Sequence, residues 1–175
     1  IKGMKSINND LIIKTFNISK WKISNCTGCG NCWFNQNDKC VFDDDFSKNI
    51  KNIYETDLLI FSCPIWVGSG NHLFRSFTER LISLVKPDFE YNGNKLGHKK
   101  KKYVILNDIL LFSTCAMPGK HNFDPLIQHV SSLEYLANIN YIGAILKPQS
   151  LEIPYYSNNE KNTLANNCFI LGQEF

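Results

Sequence analysis

The stretch that decides the fold is residues 58–84, which read LLIFSCPIWVGSGNHLFRSFTERLISL. Its first part, Leu58–Cys63, is a continuous apolar run that stops at Pro64, as expected for a strand buried on both faces of a parallel sheet. Gly68 and Gly70 then predict a loop. The apolar side chains after the loop recur at helical spacing: Leu73, Phe77, Leu81 and Leu84. This part of the chain therefore predicts a strand, a loop and a helix in succession.

The same succession is predicted on both sides of this stretch. Three further apolar runs read as strands: Leu11–Phe16, Tyr103–Ser113 (interrupted at Asn107 and Asp108) and Tyr141–Leu146. Three more segments have one apolar helical face, and they begin near Asp43–Asp45, at Asp124–Pro125 and near Asn159. Strands that alternate with helices predict an α/β fold, a doubly wound parallel sheet in three layers. We predict one domain over residues 1–175.

Composition and charge limit the function classes. The chain has 43% hydrophobic and 20% charged residues and a net charge of +3, which does not favour a nucleic-acid partner. The run Lys99–Lys102 is interpreted as a solvated loop. No apolar run reaches the ~18 residues of a membrane span, and no signal peptide is recognised, so we predict a cytoplasmic protein that does not bind membranes.

A cysteine-rich loop carries the strongest local motif. It has the pattern C-x2-C-x2-C-x7-C, formed by Cys26, Cys29, Cys32 and Cys40. The chain has 7 cysteines, and an odd number in a reducing compartment argues against a disulfide framework. Four thiols at this spacing suit a [4Fe–4S] cluster, and they also suit tetrahedral zinc. A third interpretation leaves them as unligated thiols beside a cofactor cleft.

Two further loops follow predicted strands, where ligands of doubly wound sheets bind. The first comprises Pro64, Ile65, Trp66, Val67, Gly68 and Ser69, and it offers an aromatic wall together with backbone polar groups. The second comprises Ser113, Thr114, Cys115, Ala116 and Met117, and it adds hydroxyl groups. We predict that both loops bind a flat cofactor, although Trp66 would also suit simple packing on the next helix.

Three strings together resemble the flavodoxin-like NAD(P)H-dependent FMN oxidoreductases and the iron–sulfur flavoproteins: CTGCGNCWFNQNDKCVFDDDF, ETDLLIFSCPIWVGSGNHLFRSFTER and LLFSTCAMPGKHNF. The resemblance implies FMN as cofactor, NAD(P)H as co-substrate and a small-molecule or protein electron acceptor. It implies that the loops Pro64–Ser69 and Ser113–Met117 contact the flavin. The four-cysteine spacing is similar to that of the iron–sulfur flavoproteins, whereas related reductases have a similar cysteine segment without a demonstrated cluster, so the resemblance leaves cluster, zinc and free thiols open. It also implies a homodimer or a higher homo-oligomer.

The start of the chain departs from that family. The family begins with a central strand and a loop that holds the FMN phosphate, whereas residues 1–5 resemble the end of the helix that follows this loop. We therefore expect the first strand and the phosphate loop to be missing, which leaves a gap between the Leu11 and Leu58 strands. A competing hypothesis follows, in which this chain is a truncated or decayed relative that no longer binds FMN.

Overall fold

A small parallel sheet lies at the centre of the molecule. The structure is a computed structural model that describes residues 1–35 and 39–174. Three parallel strands pair in the order β1-β4-β5, with bounds Leu58–Ser62 for β1, Asp108–Thr114 for β4 and Asn140–Lys147 for β5. An antiparallel hairpin of β2 (Val85–Asn92) and β3 (Lys95–Lys100) forms a separate two-stranded sheet. The predicted α/β fold with a parallel sheet is confirmed.

Helices connect the strands. The α-helices are α1 (Lys2–Ile7), α2 (Asn31–Phe34), α3 (Asp45–Tyr54), α4 (His72–Arg80), α5 (Asp124–Ser131), α6 (Leu133–Ala137) and α7 (Asn158–Leu171). Short 3₁₀ helices cover Ile18–Lys20, Leu81–Leu84, Lys120–Phe123 and Ser150–Tyr155. None of the described helices is long and apolar enough to cross a membrane.

The core lies against β4. Ile109, Leu110 and Leu111 are almost fully buried, because β4 has a strand on each side. Phenylalanines of α3 and α4 pack over the sheet edge-to-face, and the ring centroids of Phe46 and Phe77 are 5.2 Å apart. Apolar burial of this kind is the main stabilising contribution to the fold.

The predicted strand at Leu11–Phe16 is wrong. These residues lie outside regular structure, and Ile12 is 88% exposed. A strand is stabilised by hydrogen bonds to a neighbour, and β1 pairs with no strand other than β4 in the described chain. The side chains of Leu58, Leu59 and Ile60 are accordingly only half-buried. Among the described residues β1 is therefore an edge strand, and the expected gap between two strands is not observed, because Leu11–Phe16 forms no strand.

Two other predictions also need correction. The predicted strand Tyr103–Ser113 begins only at Asp108, because the segment before it bonds elsewhere: the backbone N–H of Ile105 donates to Tyr54, at the end of α3. The interpretation of Lys99–Lys102 as a solvated loop is wrong for Lys101, which is 1% exposed. The hairpin that contains Lys99 and Lys100 was not predicted at all.

Helices α1 and α7 pack against each other at a glycine. Gly3 is the single buried residue of α1, and α7 has no buried residue. A Cβ atom added at Gly3 would lie 2.0 Å from the carbonyl oxygen of Phe169, which is backbone and cannot move aside. The close approach of the two helices therefore requires glycine at this position.

We expect Gly3→Ala to separate α1 from α7 while the sheet stays folded. Hydrogen exchange measured by mass spectrometry should show faster exchange in α7 and unchanged exchange in β4. Lys5→Ala is the matched control, because Lys5 is exposed on the same helix and alanine favours helix there. Equal protection of α7 in both variants would contradict the assignment of Gly3 as the contact point.

Candidate functional site

The two predicted cofactor loops meet at the carboxyl edge of the sheet. The backbone N–H of Ile65 donates to the carbonyl oxygen of Thr114 at 2.8 Å. The buried hydroxyl of Ser113 donates to the carbonyl oxygen of Cys63 at 2.7 Å. Parallel strands end at the same side of a sheet, and these bonds extend the β1–β4 pairing into the loops. The structure thus brings together the two loops that the sequence predicts as cofactor-binding.

A third loop at this edge was missed from the sequence. The backbone N–H of Cys115 donates to the carbonyl of Lys147 at the end of β5, and the N–H of Ser150 donates back to Cys115. Gln149 lies between them with φ 53°, in the left-handed region. The register β4–β5 brings this loop to the same edge, since Thr114 lies opposite Lys147. No helix-cap or turn signal in the sequence predicted this third loop.

The predicted loop residues differ in exposure. Cys115 is buried, in agreement with a packing role, whereas Trp66 is 68% and Met117 60% exposed. Exposed apolar side chains in these loops are available to contact a flat ring. Apolar side chains and backbone polar groups at this edge therefore fit the ring of a flavin.

Residues 66–69 form a tight turn with a strained residue. Trp66 and Ser69 exchange backbone hydrogen bonds of 2.7 and 3.3 Å. The central residues, Val67 and Gly68, have φ angles of 49° and 79°, as in a type I′ turn. Valine is β-branched and rarely adopts a positive φ, so the conformation is unfavourable at Val67. Strain of this kind is concentrated at functional sites.

We expect Val67→Gly to raise the free energy of unfolding by about 1 kcal/mol, because glycine adopts a positive φ without the steric cost of a Cβ. Val67 is 95% exposed, so the change removes little packing. Urea denaturation measures the effect. Ile12→Gly is the control, because Ile12 is also highly exposed but does not have a positive φ. If the urea midpoint of Val67→Gly is equal to or lower than that of the parent chain, the backbone at Val67 is not strained.

The four cysteines of the motif line one cavity, which we call the cysteine pocket. Its volume is about 110 Å³, and its walls include Cys26, Cys29, Cys32, Cys40, Trp33 and Arg80. Gly28 and Gly30 have φ angles of 66° and 71°, which lets the loop curl around the cavity between its cysteines. Residues 36–38 of the predicted cysteine loop lie outside the described residues.

A buried ion pair holds both sides of the cysteine loop. Arg80 is 1% exposed, and its Nη1 lies 2.7 Å from Oδ2 of Asp44. The same nitrogen donates to the carbonyl of Ser24 at 2.9 Å, and the N–H of Ser24 donates to Asp44. Asp44 also caps α3 by accepting from the N–H of Ser47. Residues before and after the four cysteines are thus fixed to α3 and α4.

The ion pair also determines the pKa of Asp44. Burial opposes ionisation of this carboxyl, but the hydrogen bonds from Arg80, Ser24 and Ser47 outweigh it and lower its pKa to about 2. Asp44 is therefore a carboxylate at neutral pH. The sequence predicted a helix start near Asp43–Asp45, which the structure places at the cap Asp44, but no local signal pointed to Arg80 as the partner of Asp44.

Two contacts fix the middle of the loop. The buried Nζ of Lys101 donates to the carbonyl oxygen of Cys32 at 2.7 Å. The indole N–H of Trp33 donates to the carbonyl oxygen of Ile82 at 3.2 Å. These contacts attach the cysteine loop to the end of the hairpin and to the 3₁₀ helix after α4, and the sequence predicted neither.

The thiols differ in their electrostatics. Burial raises the pKa of Cys32; the Lys101 charge acts in the opposite direction, and Cys40 and Cys26 raise it further. Hydrogen bonding with Asn31 lowers the pKa of the exposed Cys29. Among the described residues, no three His, Cys, Asp or Glu side chains are already arranged to hold a metal ion. The donor set nevertheless fits a thiophilic group, because four thiols line one cavity.

The sheet with its carboxyl-edge loops defines a flavodoxin-like α/β fold, and comparison with solved structures agrees. A flavone reductase is similar with a TM-score of 0.61 and 16% identity, over 98% of this chain and 52% of its own. Azoreductase AzrA and an azoreductase from Bacillus anthracis str. Sterne both give a TM-score of 0.62, at 12% and 13% identity. They match 99% of this chain and 87% and 86% of theirs. The predicted flavodoxin-like fold is confirmed.

One curated protein is similar at the sequence level. An iron–sulfur flavoprotein from Archaeoglobus fulgidus is 28% identical over 75 residues. This match covers 43% of the chain and 33% of the length of the relative. No family model matches the chain. The match to an iron–sulfur flavoprotein supports the resemblance stated from the sequence, and the solved structures support its flavodoxin-like fold.

Proposed function

We propose that this chain is the flavin-binding part of an FMN-dependent NAD(P)H oxidoreductase. The observation that carries the proposal is the meeting of the loops Pro64–Ser69 and Ser113–Met117 at one sheet edge, joined by the bond between Ile65 and Thr114. Support comes from the fold, which resembles a flavone reductase and azoreductases along nearly the whole chain. Bound FMN supplies the electron and hydride chemistry, and the protein binds and orients it.

Within this proposal the cysteine pocket holds a [4Fe–4S] cluster through Cys26, Cys29, Cys32 and Cys40. The similarity to an iron–sulfur flavoprotein and the shared cavity of the four thiols support this choice over zinc. The buried ammonium group of Lys101 donates to the carbonyl of Cys32, and its charge favours the thiolate form of that cysteine, the form that ligates a cluster. A small-molecule or protein acceptor takes the electrons, and the protein works as a homodimer or higher homo-oligomer in the cytoplasm.

The first experiment is an anaerobic ultraviolet–visible spectrum of the reconstituted chain, with iron, sulfide and zinc counted separately. We expect flavin bands after addition of FMN and a broad shoulder that dithionite bleaches. Cys32→Ala should lose the shoulder and the iron. Cys168→Ala should keep both, because Cys168 is exposed on α7 and lies outside the motif. Stoichiometric zinc without sulfide would refute the cluster.

The second candidate is that this chain does not bind FMN by itself and has no oxidoreductase activity of its own. The observation that favours it is the edge of β1 that pairs with no strand among the described residues, where the resemblance implies the strand that leads into the phosphate loop. Fluorescence titration of FMN with the 175-residue chain separates the two candidates. Quenching with a micromolar Kd supports the oxidoreductase, and absence of binding supports the alternative.

A further inference from the structure

Helix α4 holds the two residues that precede the first cysteine of the motif. Arg80 donates from Nη1 to the carbonyl oxygen of Ser24 at 2.9 Å. One helical turn earlier, the hydroxyl of Ser76 donates to Oδ1 of Asn25 at 2.6 Å. Side chains four residues apart lie on one face of a helix. This face of α4 therefore binds consecutive residues of the cysteine loop, and Cys26 follows them directly.

The bond between Ser76 and Asn25 joins residues that lie 51 positions apart in the chain. Ser76 is 6% exposed, whereas Asn25 belongs to an exposed part of the loop. A serine inside a helix can satisfy its hydroxyl on the carbonyl one turn back, and for Ser76 that oxygen, of His72, lies 2.9 Å away. The hydroxyl thus has a local acceptor without Asn25, and the bond chiefly restricts the loop residue.

The next cysteine of the motif lies in a different backbone setting. Cys29 is exposed and stands between Gly28 and Gly30, which both have a positive φ. Glycine allows the backbone more conformations than any other residue does, so ordering this part of the loop costs more conformational entropy. Cys26, in contrast, lines the cysteine pocket at the end of a segment that α4 holds at two residues.

We propose that the hydrogen bond between Ser76 and Asn25 positions the thiol of Cys26 for metal binding. The inference rests on the proposed binding of a metal group by the four cysteines. A ligand that is already in place loses less conformational freedom when it binds, so metal binding becomes more favourable. Residues that orient metal ligands typically change the metal affinity by about 10–100-fold when they are mutated. Ser76 is thus a positioning residue that acts through Asn25 and is not itself a ligand.

The test uses cobalt alone as the probe. Anaerobic titration of the reduced chain with Co²⁺ is followed by thiolate-to-cobalt absorption, which reports cysteine ligation and gives the affinity. We expect Ser76→Ala and Asn25→Ala each to weaken cobalt binding by about tenfold. The double variant should bind no more weakly than either single variant, because both substitutions remove the same bond. At saturating cobalt all three should reach the parent absorption, since Cys26 is still present.

Two further backgrounds show whether Ser76 acts through Cys26. In Cys26→Ala the positioned thiol is absent, so adding Ser76→Ala should no longer change the cobalt affinity. In Cys40→Ala, which removes the last thiol of the motif, the same substitution should still weaken binding by about tenfold. A merely structural role of Ser76 would weaken binding alike in both backgrounds.

The outcomes separate this inference from the proposed function. If the parent chain shows no thiolate absorption, metal binding by the cysteines fails and the inference fails with it. If absorption appears but the single variants bind cobalt as tightly as the parent, the inference is overturned while metal binding stands. The same holds if the two losses multiply in the double variant, or if Ser76→Ala has equal effects in the Cys26→Ala and Cys40→Ala backgrounds.

Discussion

We expect Asp44→Ala to lower the free energy of unfolding by about 3–5 kcal/mol. The substitution leaves the guanidinium of Arg80, 1% exposed, without its carboxylate partner, and a buried charge without a partner is strongly unfavourable. It also removes the cap of α3 and the acceptor of the Ser24 N–H. Chemical denaturation of both chains at neutral pH measures the loss.

Glu79→Ala is the matched control for this prediction. It breaks the other arginine–carboxylate pair, Arg75–Glu79, whose side chains are 66% and 35% exposed. Exposed pairs contribute at most about 1 kcal/mol, so the control should change stability little. Equal losses in the two variants would contradict a special role for the buried pair.

The contribution of Asp44 to the free energy of unfolding also depends on pH in a defined way. Its pKa is about 2 in the folded chain, below the usual 3.8, so the native state binds fewer protons than the unfolded state. The stabilisation is therefore complete above about pH 4 and is lost as the pH falls through about 2. The difference between the parent chain and Asp44→Ala should narrow over that interval.

The second large effect is expected at Leu111→Ala, which should lower the free energy of unfolding by about 2–5 kcal/mol. Leu111 is fully buried at the middle of β4, between Phe61 on β1 and Ala144 on β5. The substitution removes apolar contacts and leaves a cavity that the strands on both sides cannot close. Urea denaturation again measures the change.

Ile142→Ala provides the comparison on an edge strand. Ile142 lies on β5 and is exposed, so its truncation removes mainly surface area. We expect a loss of under about 1 kcal/mol. A smaller loss for Leu111→Ala than for Ile142→Ala would mean that the sheet is not packed as the structure shows.

Several predictions from sequence were confirmed where a local pattern determines the outcome. The apolar run before Pro64 is β1, and Asp44 caps α3 with its side chain. Helix α5 starts at the predicted Asp124–Pro125, although Asp124 is its first residue and Phe123 takes the cap position without a side-chain bond. The loops after β1 and β4 lie at one edge, because parallel strands must end together. Each of these inferences needs only neighbours in sequence or one topological rule.

The errors occur where partners are distant along the chain. Leu11–Phe16 has the composition of a strand, but a strand also needs a neighbouring strand to pair with. The six residues of this segment do not show whether such a neighbour exists. The contacts Asp44–Arg80 and Cys32–Lys101 join elements that are far apart in sequence. The hairpin β2–β3 was also missed: Gly93-Asn94 is a turn signal, but the strands on either side, VKPDFEYN and KLGHKK, are poor in strand-forming residues.

The contact between α1 and α7 has a consequence for the order of folding. The side chain of Gln173 donates to the hydroxyl of Ser6, across 167 residues of chain. Closing so large a loop costs more conformational entropy than local pairing does, so this contact forms late. At roughly 5–20 residues per second on the ribosome, α1 waits on the order of ten seconds or more before α7 is made. During synthesis, its glycine face therefore remains open to other contacts.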